Sequence, residues 1–365
     1  RPIRNILSLY GNKVIKFQIA GIKSTNFTFG LSIHRQKKIK IHSPENYLSV
    51  LKNNCVIVDQ EERKKEIIRS AEALIKNTKL KLKVSKELLN EINFLIEYPS
   101  AVLGKFDEKY LLLPEEIVIM VLEKSQKFFP VLDENSKLTN YFIGIRNGIS
   151  EGQEIVKEGY ERVLAARLQD AEFFYQQDLQ SSLQSKVENL KGIVFQEKLG
   201  TIYDKVQRII HLSEFILDEL IKSPKYEGSS PAFYFSNTLK SQLQKAALLC
   251  KADIATEMAK EYPELEGIIG RIYALADNES QEVAIAIEEH YMPITPDGEL
   301  PQTPCGIILS LADKIDTLVG DFAVGLIPTG SEDPYGLRRQ AIGLLRILLE
   351  KKLNISLNTL IKKSI

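Results

Sequence analysis

Three aspartates and one histidine stand where burial would force them into chemical work. In AALLCKADIATEM, Asp253 follows Leu249 by one helical turn and Ala246 by two, so it leans toward the apolar side of a helix. In ILSLADKIDTLVG, Asp313 and Asp316 lie one turn apart on an otherwise almost wholly apolar helix. His290 sits in IEEHYMP, just ahead of a proline break. A carboxylate taken out of water is costly unless it is paired, hydrogen-bonded or bound to a metal. An Asp/His/Asp set on three helices can hold a divalent ion and activate a water on it. The same acids can instead cap backbone groups, or pair with Lys and Arg inside a helical bundle.

The first arrangement resembles the HD superfamily of metal-dependent phosphohydrolases. Those enzymes place a His-Asp doublet on one helix and an Asp on a later one, which puts nitrogen and oxygen ligands on the same ion. Asp253 takes the doublet's aspartate position, but Ala252 stands where its histidine belongs. With one ligand missing, the expectation is a degenerate remnant of Asp253, His290 and Asp313 that holds no metal. The rival expectation is a working HD-type phosphohydrolase with Mn, Mg, Zn or Fe near those three residues.

Other chemistry has little to stand on. There is no Walker loop, no GxGxxG and no GxSxG. The histidines are His34, His42, His211 and His290, and none has a local nucleophile context. Cys55, Cys250 and Cys305 form no CxxC pair and read as reduced, buried thiols of a cytosolic protein. Basic and acidic residues balance at 48 each, so any nucleic-acid contact must come from a local patch. Arg338, Arg339 and Arg346 are candidates; Arg339 and Arg346 are seven apart and share a helix face. Arg162 and Arg167 in GYERVLAARLQDAEFF form a second candidate set. The competing reading of all five is a solvated or ion-paired face.

Two regions must position these residues. Residues 1–150 read as an α/β region. A hairpin turns at Gly11-Asn12, EERKKEIIRSAEALIKNT has Ile67, Ala71, Leu74 and Ile75 on one face, and Ser85 caps KELLNEINFLIEY. Pro114 opens a helix as its first residue, and FFPVL and YFIGIRNG pair as strands across Asp133–Ser136. Residues 151–365 read as almost wholly helical, with breaks at SPKYEGSSP and MPITPDGELPQTP. One helix starts at Pro304 behind the cap Thr303, and another follows Asp333-Pro334. Gly320, Gly325, Pro328 and Gly330 are read as shaping the loop between those two helices. No run of about 18 apolar residues is present, so no membrane span is expected. The start at Arg1, with no initiator, and the end in NISLNTLIKKSI suggest an internal piece of a longer protein.

Several long blocks then carry a family resemblance together. EYPSAVLGKFDEKYLLLPEE, QKFFPVLDENSKLTNYFIGIRNG, ERVLAARLQDAEFFYQQDL and VFQEKLGTIYDKVQRI resemble the beta subunit of bacterial glycyl-tRNA synthetase. LLCKADIATEM, YPELEGIIGRIYAL, IEEHYMP, LPQTP and LADKIDTLVGDFAVGLIPTGSEDPYGLRRQAIGLLRILLE continue the match in family order. The resemblance implies an α+β architecture. Its N-terminal α/β module would be similar to the phenylalanyl-tRNA synthetase beta chain, and an all-α, degenerate HD-like domain would follow. It also implies a non-catalytic, tRNA-binding share of glycine–tRNA ligase in the cytoplasm. The partners implied are the alpha subunit and tRNA-Gly, in an α2β2 tetramer. ATP and Mg would be used by the alpha subunit, and this chain would need no cofactor. The family's N-terminal stretch and C-terminal anticodon-binding domain would lie outside it.

Overall fold

The computed structural model describes residue 3 and residues 5–31, 38–222, 237–329 and 333–364. His34, the break at residues 223–231 and Gly330 lie outside the described residues. The chain divides into two compact units, Arg1–Glu172 and Phe173–Ile365. The elements mix helices with small sheets, an α+β composition as the sequence suggested.

Among the described residues, the first unit opens with short strands: β1 (Ile6–Leu7), β2 (Leu9–Tyr10), β3 (Lys13–Val14), β4 (Gln18–Ile19), β5 (Ile22–Thr25), β6 (Phe27–Phe29) and β7 (Lys38–Lys40). β2 and β3 form the hairpin expected at Gly11-Asn12, with Leu9 opposite Val14 and Gly11 at φ +54°. β5 takes β1 on one side in parallel and β4 on the other. Then come α1 (Tyr47–Asn53), α2 (Gln60–Ile75), β8 (Lys81–Leu82), α3 (Lys86–Leu95), β9 (Pro99–Lys105), α4 (Glu115–Met120), β10 (Phe128–Leu132), β11 (Leu138–Asn147) and α5 (Gln153–Asp178). Four of the strands form an antiparallel sheet in the order β8-β10-β11-β9.

The sheet's core is made with Ile67, Ala71 and Ile75 of α2 and Leu88, Ile92 and Ile96 from the α3 segment. Leu74 was expected on that face but points outward at 37% exposure, because the buried stripe is completed by the 67-71-75 spacing alone. Ser85 caps α3 as read, accepting from the Leu88 N–H. Pro114 differs: it holds the N-cap position with ψ 134°, and α4 begins one residue later. Gly104 lies opposite Phe142 in the β9–β11 register, and a Cβ there would come within 2.8 Å of the Phe142 ring carbon Cε1.

The N-terminal half of α5 closes the outer edge of β9. Gln153 Nε2 donates to Ala101 O at 2.8 Å, and Glu161 accepts from the Lys105 N–H at 2.9 Å. Eight helical residues rise about 12 Å and four strand residues about 13 Å, so the two periods match. Two side chains thus satisfy backbone groups that would otherwise recruit another strand.

The second unit contains α6 (Leu183–Lys186), the small hairpin β12 (Val194–Gln196) and β13 (Gly200–Thr201), then α7 (Ile202–Lys222), α8 (Asn237–Leu249) and α9 (Glu257–Glu261). It continues through α10 (Ile268–Ala276), α11 (Gln281–Glu289), α12 (Pro304–Ala323), α13 (Leu337–Glu350) and α14 (Leu357–Ser364). The β12–β13 hairpin was not anticipated. Helix α12 is the axis, touching α7, α8, α11, α13 and α14. Its start is as read: Thr303 Oγ1 accepts from the Gly306 N–H at 3.1 Å behind Pro304. Gly320 is part of α12 and not of the loop, packed against Leu199 of the β12–β13 turn. Among the described residues, no helix is long and apolar enough to cross a membrane.

Cys250 and Cys305 are buried, and Cys55 is half-buried on a turn. Burial pushes both buried thiols up to about 12, so they carry negligible thiolate at neutral pH. Titration of the native chain with Ellman's reagent should therefore register Cys55 within minutes. Cys250 and Cys305 should respond only after denaturation.

Candidate functional site

Of the four residues singled out for chemistry, Asp313 and Asp316 share α12, His290 is close enough to act on Asp313, and Asp253 is held by the Ile254 and Gly267 backbone amides. Asp313 and Asp316 come from α12 itself, and His290 follows α11 at its C-cap. Asp253 lies on a separate 3-10 turn, Ala252–Ala255, because α8 ends at Leu249. The expected helix through Asp253 is thus broken one residue before Cys250. All four are buried: Asp253 and His290 are 0% exposed, Asp316 2% and Asp313 7%.

What satisfies Asp313 and Asp316 is cationic. Lys205 and Arg208 come from α7, and Lys251 from the turn after α8. Lys205 Nζ lies 2.9 Å from Asp313 Oδ1 and 3.0 Å from Asp316 Oδ2, and donates to Thr317 Oγ1 at 2.7 Å. The contact to Asp313 Oδ1 is electrostatic, off the direction of a hydrogen bond. Lys251 Nζ donates to Asp313 Oδ2 at 2.9 Å and lies 4.1 Å from the centroid of the Tyr291 ring. Arg208 grips Asp316 through Nε at 2.5 Å and Nη2 at 3.3 Å.

The titration behaviour follows from these contacts. Burial alone would raise Asp313, but the Lys205 and Lys251 ammoniums outweigh it and hold its carboxyl well below the usual range. Burial would lower Lys205, and Asp313 with Asp316 reverses that, so its ammonium is raised. Asp253 has no such partner at hydrogen-bond distance, and burial pushes it up to about 6. Its oxygens are otherwise occupied: Oδ2 accepts from the Gly267 N–H at 2.6 Å, and Oδ1 from the Ile254 N–H at 3.0 Å and the Tyr291 hydroxyl at 3.4 Å. Burial, reinforced by Lys251, keeps His290 neutral. Its Nδ1 is 2.6 Å from Ile287 O, which assigns the proton there and leaves Nε2 buried with no hydrogen-bond partner. Next along α12, Lys314 donates to Met292 O at 2.8 Å and is pushed down to about 8 by burial.

These donors do not fit a divalent ion. Ala252 offers no ligand atom, Asp253 is occupied by N–H groups, and two ammoniums face Asp313. Among the described residues, no group of three or more His, Cys, Asp or Glu is placed to hold a metal. The reading in which the acids cap backbone or pair with Lys and Arg describes all three aspartates.

Lys205, Arg208 and Lys251 were missed by sequence reasoning, though a signal existed. Lys205 stands four residues before Ile209 and seven before Leu212, on the buried stripe of α7. A lysine on an apolar stripe needs a buried anion, and α12 supplies two of them.

The five candidate arginines are divided between the two units. Arg162 and Arg167 are exposed on α5 in the first unit, with Arg167 Nη1 3.8 Å from Asp170. Arg338 and Arg339 are exposed at the start of α13 in the second. Arg338 Nη2 donates to Thr329 O, and its backbone N–H to Asp333 at 2.9 Å. Arg346 is committed elsewhere. Its Nη1 donates to Pro296 O at 2.7 Å and Gly298 O at 2.9 Å, and its Nε to Glu350 at 2.8 Å. It therefore anchors the 296–298 turn against α13.

Comparison with known proteins accounts for the whole chain. A family model described as "Glycyl-tRNA synthetase beta subunit" matches residues 1–365. The "Glycine--tRNA ligase beta subunit" of Dictyoglomus turgidum is 43% identical over 364 residues, covering 100% of this chain and 51% of that protein. Its counterpart from Dictyoglomus thermophilum is 44% identical over 364 residues, with coverage of 100% and 51%. That from Clostridioides difficile is 42% identical over 365 residues, again covering 100% and 51%. The chain spans about half the length of the curated relatives it matches.

Proposed function

The chain belongs to the glycyl-tRNA synthetase beta subunit family, and on that footing we propose that it is a tRNA-gripping, non-catalytic portion of a glycine–tRNA ligase. The complete ligase joins glycine to tRNA-Gly at the expense of ATP. In this reading ATP and Mg are used by the alpha subunit, and the partners of this chain are that subunit and tRNA-Gly, in an α2β2 assembly in the cytoplasm. The first unit serves as a module similar to the phenylalanyl-tRNA synthetase beta chain. The second serves as an HD-type helical scaffold whose acids are structural. The observation that carries the proposal is the family match over residues 1–365. The lysine-paired acids support the non-catalytic half of it.

Arg338 and Arg339 are the arginines of the set best placed to meet phosphate, being exposed side by side at one helix start; Arg162 and Arg167 follow. Binding of labelled tRNA-Gly, followed by anisotropy at rising salt, should weaken along a straight log–log line. Arg338→Glu with Arg339→Glu should weaken it about 10-fold at low salt and flatten the slope by about two, since each lost phosphate contact removes roughly one unit. A chain with no affinity at low salt would defeat the proposal. So would a double variant that binds and aminoacylates as the wild type does.

A further inference from the structure

We infer that the ammonium groups of Lys205 and Lys251 stand in for a metal ion, so that the acidic centre of the second unit carries its own tethered cations and is closed to exogenous metal. Asp313 and Asp316 bring two negative charges to the centre, and Lys205 and Lys251 bring two positive ones, the charge of one divalent ion. Both lysines are buried, at 3% and 5% exposure, where a solvated side chain would not go. Each reaches Asp313 at 2.9 Å from a different element, α7 and the turn after α8, while Lys205 also bridges to Asp316 at 3.0 Å. A metal draws ligands from several elements to one point; here two cations from two elements converge on the acids of a third. Arg208 adds a further cation to Asp316 from the rim, with its side chain 33% exposed.

The neighbours of Lys251 strengthen the inference. His290 Nε2 is buried and has no hydrogen-bond partner, and neither has Asp313 Oδ1. Lys251 donates to the same Asp313 carboxylate through Oδ2 at 2.9 Å, and its charge adds to burial in keeping His290 neutral. An imidazole lone pair cannot approach an ammonium and a metal at once. With Lys251 present, Nε2 is held unprotonated beside a cation. With its ammonium removed, Asp313 Oδ2 loses its donor, and that oxygen and His290 Nε2 remain as two ligand atoms, with Lys205, shared with Asp316, as the ammonium left on Asp313.

The test is thermal unfolding of the full chain in EDTA and in Zn²⁺ or Mn²⁺, on the wild type, Lys251→Met, Asp313→Asn and the Lys251→Met/Asp313→Asn pair. Wild type should melt identically in EDTA and in metal and should retain no stoichiometric metal after dialysis. Lys251→Met in EDTA should melt about 10 °C lower, the scale for breaking a buried pair in a unit of this size. Zn²⁺ should recover part of that loss in Lys251→Met alone. The double variant should melt above Lys251→Met, because both charges leave together. Should Lys251→Met fail to fold in EDTA, folding of the double variant supports the inference and its failure to fold overturns it. Four other results would overturn it: a wild-type melting point raised by metal, a Lys251→Met as stable as wild type, no response of that variant to Zn²⁺, or a double variant below both singles.

Discussion

Asp178→Ala is expected to lower unfolding free energy by about 3–5 kcal/mol, the cost of stripping one partner from a buried ion pair. Asp178 is 2% exposed at the end of α5 and joins three later segments of the second unit. Its Oδ1 accepts from Lys186 Nζ and from the Glu257 N–H, both at 3.0 Å. Its Oδ2 accepts from the Met258 N–H at 3.0 Å and the Tyr273 hydroxyl at 3.1 Å. Truncation leaves a buried ammonium, a hydroxyl and two amides of the α9 first turn without their acceptor. Tyr273→Phe removes one neutral donor and should cost only about 1 kcal/mol. With two compact units in the chain, a single transition is not guaranteed, so amide exchange at Glu257 and Met258 is the sharper readout. Protection there should collapse in Asp178→Ala, while amides of the β9–β11 ladder keep theirs. A variant within about 1 kcal/mol of wild type would mean that Lys186 finds water and that the hub is surplus.

How far the sequence carried this picture depends on where each signal lived. Local signals were legible: the Gly11-Asn12 hairpin, the Ser85 and Thr303 caps and the β10–β11 pairing are each set by a few neighbouring residues. The apolar stripes were legible up to their edges, where Leu74 turned outward. The short strands β1, β4 and β5 were harder, because a strand of two to four residues is defined by its partner and its own composition says little.

The site shows the same division. Burial of Asp253, Asp313 and Asp316 could be read from helical spacing, since an acid on an apolar stripe is visible from its neighbours alone. Their partners could not be read that way. Lys205 is 108 residues from Asp313 in sequence, and Lys251 is 62. Only packing of α7 and α8 against α12 brings them together. The missing doublet histidine at Ala252 was visible, but the lysine beside it that supplies the positive charge looked like any surface lysine. Arg346 failed in the opposite direction. It shares a heptad spacing with Arg339, yet it is tied to carbonyls of a turn that arrives from 48 to 50 residues away.

Glu289→Ala should cost about 3 kcal/mol, and the change of a single hydrogen to a methyl at Gly306 should cost up to about 2 kcal/mol net. Glu289 is 6% exposed and accepts three hydrogen bonds: the Gln302 N–H at 2.8 Å, the Thr303 N–H at 2.9 Å and the Thr303 hydroxyl at 2.6 Å. Thr303 in turn caps α12, the helix that carries Asp313 and Asp316. Removing the carboxylate therefore frees the start of the helix on which the buried ion pairs are mounted. Gly306 lies in the first turn of α12, where alanine would ordinarily gain about 1 kcal/mol over glycine. Here a Cβ would collide with Glu289 Oε2, and would lie 2.7 Å from Glu289 Cβ and 2.9 Å from Thr303 Oγ1. The carboxylate cannot swing aside without giving up its three donors, so crowding of about 1–3 kcal/mol outweighs the gain in propensity. Gly306→Ala should thus destabilise in wild type, and by less in a Glu289→Ala background, where the collision with Oε2 is gone while the Cβ of residue 289 and Thr303 Oγ1 stay in place. Chemical denaturation of the four proteins of that cycle measures the difference. An equal cost in the two backgrounds would show that Glu289 moves freely and does not hold the start of α12.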